Sequence, residues 1–525
     1  MASAPTAGTA PTGEMKRTLS LTGLTINAMA LIAPGAFLWT TFQSQSLQQN
    51  GGTTTAFDMV PGLLFALFLA FLTALSYAEL ADLYPNAGAG SSYYFAEAAF
   101  LEREETFHYK FARLAKFVVG WISHLYYWIY PGIMVAFTGT LAVYILGLLG
   151  VTLSTPLEIG VAILFAVVTG AIAFRGIAGS TMTAVVINVI QLTALVAFSA
   201  LAIIFRMTHP DAGYVHPDVA SVVLPHGMTN VLFQGTIAIL LLVGFESVTA
   251  LGAEAKNPKR DVRRAVLLSL AIQGGIAYII EYVATNLFVN TSVTATVTAA
   301  DGTTSTVSGY AAAAASGAPI GDMIQFIGNN MLGGTGVPLA LIMAATVLVA
   351  LIGTTLACLN TGVRITYAMG RDKEVPGVLS LLHGKYATPH YGIIVLAAAS
   401  AVIGAYGVLS ADSLLQIILA SNVGTFLVYG MTNAIVLVAF WHRAERNAVK
   451  HVLVPVLGLL ANIAMLGAVV VLSLSSGGST QTDTLIALAA VGFWIVLGAI
   501  WLGANSRATN RGILVRPAVG GASDA

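Results

Sequence analysis

Two short stretches decide the fold: Ile32-Ala33-Pro34-Gly35-Ala36-Phe37 and Val243-Gly244-Phe245-Glu246. Each lies within an apolar run long enough to cross a bilayer, which takes about 20 residues. Pro34 has no N–H and its ring clashes with the preceding turn, while Gly35 and Gly244 tolerate dihedrals closed to other residues. Backbone that leaves helical geometry at membrane depth survives only where protein buries it or where it lines a cavity. The two glycines stand 209 positions apart (244 minus 35), with four apolar runs between them. They read as matching first helices of two five-helix halves, and paired interruptions of this kind point to an inverted-repeat transporter. An ordinary kink is the competing reading of either break alone, since Gly and Pro are frequent in membrane helices.

The composition agrees with that setting. Hydrophobic residues make up 57% of the 525-residue chain and charged residues 9%, with a mean hydropathy of +0.83. A soluble domain holds about 25% charged residues, so this chain lacks the charge to solvate a globule of its size. That excludes a cytosolic enzyme and a disordered chain. The 23 basic and 23 acidic residues cancel, which leaves no basic field for nucleic acid. One cysteine, Cys358, permits no internal disulfide and no cysteine-cluster metal site.

Apolar runs at about 19–42, 60–83, 117–148, 157–174, 182–205, 229–252, 265–289, 337–368, 391–409, 413–440, 452–473 and 484–503 give twelve spans. The first follows Lys16 and Arg17 and is too long for a cleavable signal. Residues 1–17 read as an unordered tail, 18–206 as a first repeat of five spans and 229–440 as a second. Residues 450–504 read as two peripheral helices and 505–525 as a C-terminal tail. With the N-terminus inside, 22 of the 23 Lys and Arg residues fall on the cytoplasmic side and only Arg206 outside. Both termini are therefore expected in the cytoplasm of a multi-pass cell-membrane protein. The outer loop at 290–318 is Thr- and Gly-rich, and 318–330 reads as a short lid helix.

Four motifs in order resemble the amino acid–polyamine–organocation permeases. They are Tyr77-Ala78-Glu79-Leu80 with Pro85-Asn86-Ala87-Gly88 and Ser92-Tyr93-Tyr94, then Gly244-Phe245-Glu246-Ser247 with Glu254-Ala255-Lys256-Asn257-Pro258-Lys259-Arg260. Arg364-Ile365-Thr366-Tyr367-Ala368-Met369 with Arg371-Asp372 and Pro376 follows, then Ser421-Asn422-Val423-Gly424-Thr425. The resemblance covers about residues 20–440. It implies an all-α membrane protein of LeuT type, a 5+5 inverted repeat plus two peripheral helices. It also implies gradient-driven transport of amino acids or related amines by alternating access, as symport or antiport. In that family a Gly-Ser/Ala-Gly turn in the first helix takes the substrate carboxylate. Ala33, Pro34 and Gly35 stand there, and Pro34 removes a donor. Proton-linked members often carry a Lys in the fifth helix, where this chain has Gln191.

Backbone around Ala33, Pro34, Gly35, Ala36 and Phe37, and around Val243, Gly244, Phe245 and Glu246, is the expected substrate site, with Phe245 as an aromatic wall or gate. An ionised acid is costly at mid-depth, so Glu246 and Glu281 are coupling or gating candidates by default. Helical spacing puts His124, Tyr127 and Trp128 on one face of the third span, able to line the path or simply to pack. In sodium-coupled relatives, helix 8 hydroxyls join carbonyls of the first break around the ion. Thr354 and Thr355 occupy that position, where back-bonding to their own helix is the alternative. Cys358 lies on the same span. No Walker, Rossmann, zincin or nucleophile-elbow motif occurs. No enzymatic activity or cofactor is therefore expected, and H+ or Na+ is the candidate coupling ion. The partners are the bilayer and an amino acid or amine. A polyamine or organocation exchanger, or a sensor or channel on the same scaffold, is the rival reading.

Overall fold

Long apolar runs satisfy their backbone in lipid only by winding into helices, because hydrocarbon offers no partner for a bare N–H or C=O. A computed structural model describes residues 18–85, 90–102, 106–176, 181–209, 219–290, 293–298 and 303–515. The tail at 1–17, residues 86–88 of the first motif, Arg103 and the last ten residues lie outside these. Among the described residues eleven helices are long and apolar enough to cross a membrane, and a bent pair makes a twelfth.

The first span is α1 (Leu21–Ile32) and α2 (Pro34–Leu47). The second is α3 (Met59–Leu83), followed by a short helix α4 (Ser92–Leu101). The third to fifth are α5 (Ala112–Leu148), α6 (Thr155–Phe174) and α7 (Thr181–Thr208). After a single turn, α8 (Val219–Val223), the sixth span runs through α9 (Met228–Ala238) into 3-10 turns at Ile239–Leu241 and Phe245–Glu254. Its two halves are bent by 42°. The seventh span is α10 (Pro258–Phe288). Helices α11 (Tyr310–Ala315) and α12 (Pro319–Met331) lie in the loop before α13 (Gly336–Arg371), the eighth span. Then come α14 (His390–Gly407) and α15 (Ala411–Phe440). The eleventh span, Val449–Ser475, contains α16 (Val454–Gly467) and α17 (Ser473–Ser475), and α18 (Gly478–Thr509) is the twelfth.

Two features depart from the sequence reading. The 290–318 loop carries an antiparallel hairpin, β3 (Thr294–Thr298) with β4 (Thr304–Ser308), after a smaller one, β1 (Gln49–Asn50) with β2 (Thr53–Thr54). Alternating Thr and Val favour extended chain in both arms of the larger hairpin. The twelfth helix also outruns its expected end at 503, and the following segment docks on the basic face. There Val515 N–H donates to Lys110 O at 2.8 Å, and Arg113 donates to Arg511 O at 2.7 Å. The lid helix forms where expected, as α12.

Burial sorts the spans. In the first, 78% of the most apolar stretch is buried, against 22% in the last. Phe493 and Ile500 of α18 are largely exposed, a surface suited to hydrocarbon rather than water. Inside, the third span packs on the eighth and the fourth on the ninth. The first packs on the seventh much as the sixth packs on the second.

Candidate functional site

The first break is one residue long. Ala33 has φ 25° and ψ 71°, and α2 restarts directly with Pro34, whose fixed φ suits a first helical position. Pro34 has no N–H to give Ala30 O, four residues back, and Thr354 Oγ1 donates to that carbonyl at 3.0 Å. Met29 O keeps the N–H of Ala33 at 3.1 Å and also accepts from Gln273 Nε2 at 3.0 Å. Asn188 of α7 reaches Ile26 O at 3.1 Å and accepts from Gln191 Nε2 at 2.9 Å. Gln191 lies against Gly35, where a β-carbon would stand 3.1 Å from its Oε1.

The second break is longer and strained differently. Gly244 has φ 128°, and a β-carbon there would fall 2.4 Å from Leu31 Cδ2 and 2.9 Å from Ile32 N. The two breaks therefore touch, and only glycine allows the approach. Leu240 O accepts from Tyr130 at 2.8 Å, and Thr236 O accepts from Asn422 at 2.7 Å. Glu246, 1% exposed, takes four donors. Tyr126 (2.6 Å) and Tyr127 (3.0 Å) bond Oε1, while Gly244 N–H (3.0 Å) and Tyr429 (3.0 Å) bond Oε2. That is the full valence of an ionised carboxylate, which accepts and never donates. The side chain thus ties the broken turn to α5 and α15. Phe245 sets its ring against Tyr77 and Tyr429, with centroids 6.1 and 5.4 Å away.

A cavity of about 90 Å3 leads from Ala30 and Leu31 at the first break to Glu254 and Arg364 at the basic face. Arg364 and Glu254 pair across it at 3.1 Å. Leu19 exchanges backbone hydrogen bonds with Glu254 and Lys256 at 2.9 and 2.8 Å, joining the ends of the first and sixth spans. The other end of the first span meets α12. There α12 presses Gly321 onto Trp39 and Tyr144, which meet edge to face at 5.5 Å. A bundle with two touching mid-span breaks, a cavity to one face and a lid on the other calls for comparison with transporters, and the amino acid permease family matches residues 35–508.

The chain belongs to the amino acid permease family.

Membership carries the LeuT-type fold and makes the protein a multi-pass membrane transporter rather than an enzyme. The permease is 24% identical to the methylthioribose transporter of Bacillus subtilis (strain 168) over 458 residues, 85% of this chain and 87% of that one. It is 26% identical to the branched-chain amino acid permease BcaP of the same organism over 448 residues, 82% and 83% of the two chains. Against the low-affinity putrescine importer PlaP of Escherichia coli (strain K12) it is 24% identical over 437 residues, 83% of each.

Ala33, Pro34, Gly35, Ala36 and Phe37, with Val243, Gly244, Phe245 and Glu246, come together at mid-bundle, all buried. Phe37 turns toward the third span, against Tyr130 and Phe137. Tyr127 joins them through Glu246, and Cys358 is buried within electrostatic range of that carboxylate. His124 does not join. Its Nε2 meets Thr366 Oγ1 at 3.0 Å and its ring lies among Trp121, Trp128 and Trp494. Residues three and four apart share a helix face only broadly, and this face divides between Glu246 and the twelfth span. Thr354 reaches the first break while Thr355 bonds back to Leu351 O at 2.7 Å. Glu281 lies toward the lid, bonded to Gln45. Glu79 of the second span instead holds Arg263 at 3.0 Å near the basic face. Sequence reasoning missed Tyr126, Tyr429, Asn188 and Gln273. The aromatic run of the third span and mid-span amides at helical spacing were the available signals.

Proposed function

We propose that the permease is a secondary active transporter for amino acids, working by alternating access, with the substrate held between the two breaks. The single observation that carries this is the contact of Gly244 with Leu31 and Ile32. It brings helix ends from two spans around one point, where N–H groups suit an anion and carbonyls an ammonium. Residues 18–206 and 229–440 are the two repeats, an assignment supported by the reciprocal pairing of spans. Spans one and six, joined at Leu19, rock against the third and eighth. The basic face is cytoplasmic, supported by the placement of 22 of 23 Lys and Arg residues. The cavity at Arg364 is then the inward route in a cell membrane, and α12 is the closed outer lid.

Amino acids rank ahead of polyamines for a physical reason. A polyamine needs several free acids, and Glu246 is already saturated by four donors. A specific observation favours a second reading, a substrate without a carboxylate. Pro34 has no N–H, and Ala36 N–H is spent on Ala33 O at 2.9 Å. The relatives transport cargoes of these different kinds, named for branched-chain amino acids, putrescine and methylthioribose.

Counterflow in proteoliposomes tests the proposal. Vesicles preloaded with unlabelled leucine should accelerate uptake of labelled leucine, as a carrier does and a channel or sensor does not. A thermal-shift screen of leucine, putrescine and methylthioribose decides the cargo, because a ligand stabilises the state it binds. No acceleration with any ligand that stabilises the protein would overturn transport by alternating access.

A further inference from the structure

Beneath the lid, a second buried polar cluster surrounds Glu281, which is fully buried in α10. Its Oε1 accepts from Gln45 Nε2 of α2 at 3.1 Å. Its Oε2, the Oε1 of Gln45 and the hydroxyl of Tyr310 are buried without partners, as is Asp58 Oδ2. A fully buried carboxylate with a single donor is short of the partners an anion needs. A proton on Oε2 removes that shortfall, whereas ionisation leaves Oε2 bare. Glu246 is the opposite case, with every lone pair matched.

Tyr310 of α11 lies within electrostatic range of both Glu281 and Asp58, and its ring touches Phe57 at 5.2 Å. Burial, with those two acids beside it, raises the Tyr310 hydroxyl above its ordinary value, so it remains a donor. Asp58 is fully buried and accepts from His226 N–H at 2.7 Å and its ring Nδ1 at 3.3 Å, while the His226 side chain is 44% exposed. Other ionisable groups turn elsewhere. Tyr282 bonds Arg206 of α7, Asp322 of α12 bonds Ser316, and Glu79 and Asp82 lie at the far end of α3.

We propose that Glu281 is the proton-carrying group of this permease. The inference rests on the transporter reading above for its coupling role, but not for proton binding itself. On loading, hydronium gives up a proton to form an O–H bond on Glu281 Oε2 and leaves water behind; unloading reverses the step. The consequence for transport follows from Gln45, whose main-chain carbonyl also accepts from Gln234 Nε2 of α9 at 3.0 Å. Loading and unloading Glu281 changes the side-chain hydrogen bond of the residue at which the outer halves of the first and sixth spans meet.

Two measurements on the purified full-length protein test this. Infrared pH-difference spectra report protonated carboxyls directly and need no substrate. The wild type should show a buried-carboxyl C=O band that is absent from Glu281→Gln and retained in Glu246→Gln. A band that persists in Glu281→Gln, or that is missing from the wild type at every pH, overturns the assignment. In proteoliposomes, an acid-outside pH gradient should drive labelled leucine uptake at least tenfold above the ungraded rate. Glu281→Gln should lose that gain and keep counterflow. Wild-type gradient response in Glu281→Gln overturns the coupling role. If leucine is not carried at all, the transport reading fails while the infrared result still decides the proton site.

Discussion

The two breaks at mid-bundle are built in different ways. The first is short, uncharged and held from outside: Gln273 and Thr354 cap its carbonyls with neutral hydrogen bonds. The second is longer, needs the φ of 128° at Gly244, and carries a carboxylate locked by three tyrosines and a backbone N–H. A neutral hydrogen bond contributes about 0.5–1.5 kcal/mol net, and one to a charged group about 1.5–3 kcal/mol. By that measure the first break costs less to rearrange than the second, which is bonded to the third and tenth spans. Two turns that read as equivalent in sequence thus divide into a loosely held and a tightly held one.

Substitutions probe that division. Gly244→Ala should be the most damaging. Its β-carbon meets Leu31 and the backbone of Ile32 at 2.4 and 2.9 Å and its φ suits only glycine, so a loss of about 3 kcal/mol is expected. Abolished leucine counterflow and a lowered thermal midpoint would show it; near wild-type behaviour would mean the breaks need not touch. Glu246→Gln comes next. An amide brings a donor into a ring of donors, and one or two charged hydrogen bonds vanish, a cost of about 2–3 kcal/mol. Counterflow should fall more than tenfold while its pH profile keeps its shape; a flattened profile would return the proton role to Glu246 and erase the contrast with Glu281.

The remaining two act on the first break and should be milder. Pro34→Ser restores an N–H donor, and a carboxylate substrate should bind several-fold tighter, in line with about 1 kcal/mol for one hydrogen bond. Unchanged apparent affinity for leucine would place the carboxylate elsewhere. Gly35→Ala has the smallest expected effect, because its nearest neighbour is the movable end of Gln191 at 3.1 Å. A midpoint shift as large as that of Gly244→Ala would show that the first break is as tightly constrained as the second.

Much of this was legible beforehand. Pro34 and Gly244 marked both breaks, hydropathy located the spans, and Glu246 stood out as an acid in an apolar run. His124 was less readable, because a helix face is broad and only its neighbours decide which part of it meets the site. The hairpin at Thr294–Thr298 was signalled by alternation but overshadowed by its polar composition. Tyr429 and Gln45 carried no local mark at all, since a tyrosine or glutamine in a span is as often packing as function.

The linear order of residues thus settled what local chemistry controls: where helices run and where proline and glycine interrupt them. It could not settle which side chains meet. Tyr126, Tyr429 and Glu246 come from spans that are remote in sequence, and Gln45 finds Glu281 across 236 positions. Whether a buried carboxyl is satisfied as an anion or left wanting a proton depends on those distant donors. Only the packing of the bundle supplies them.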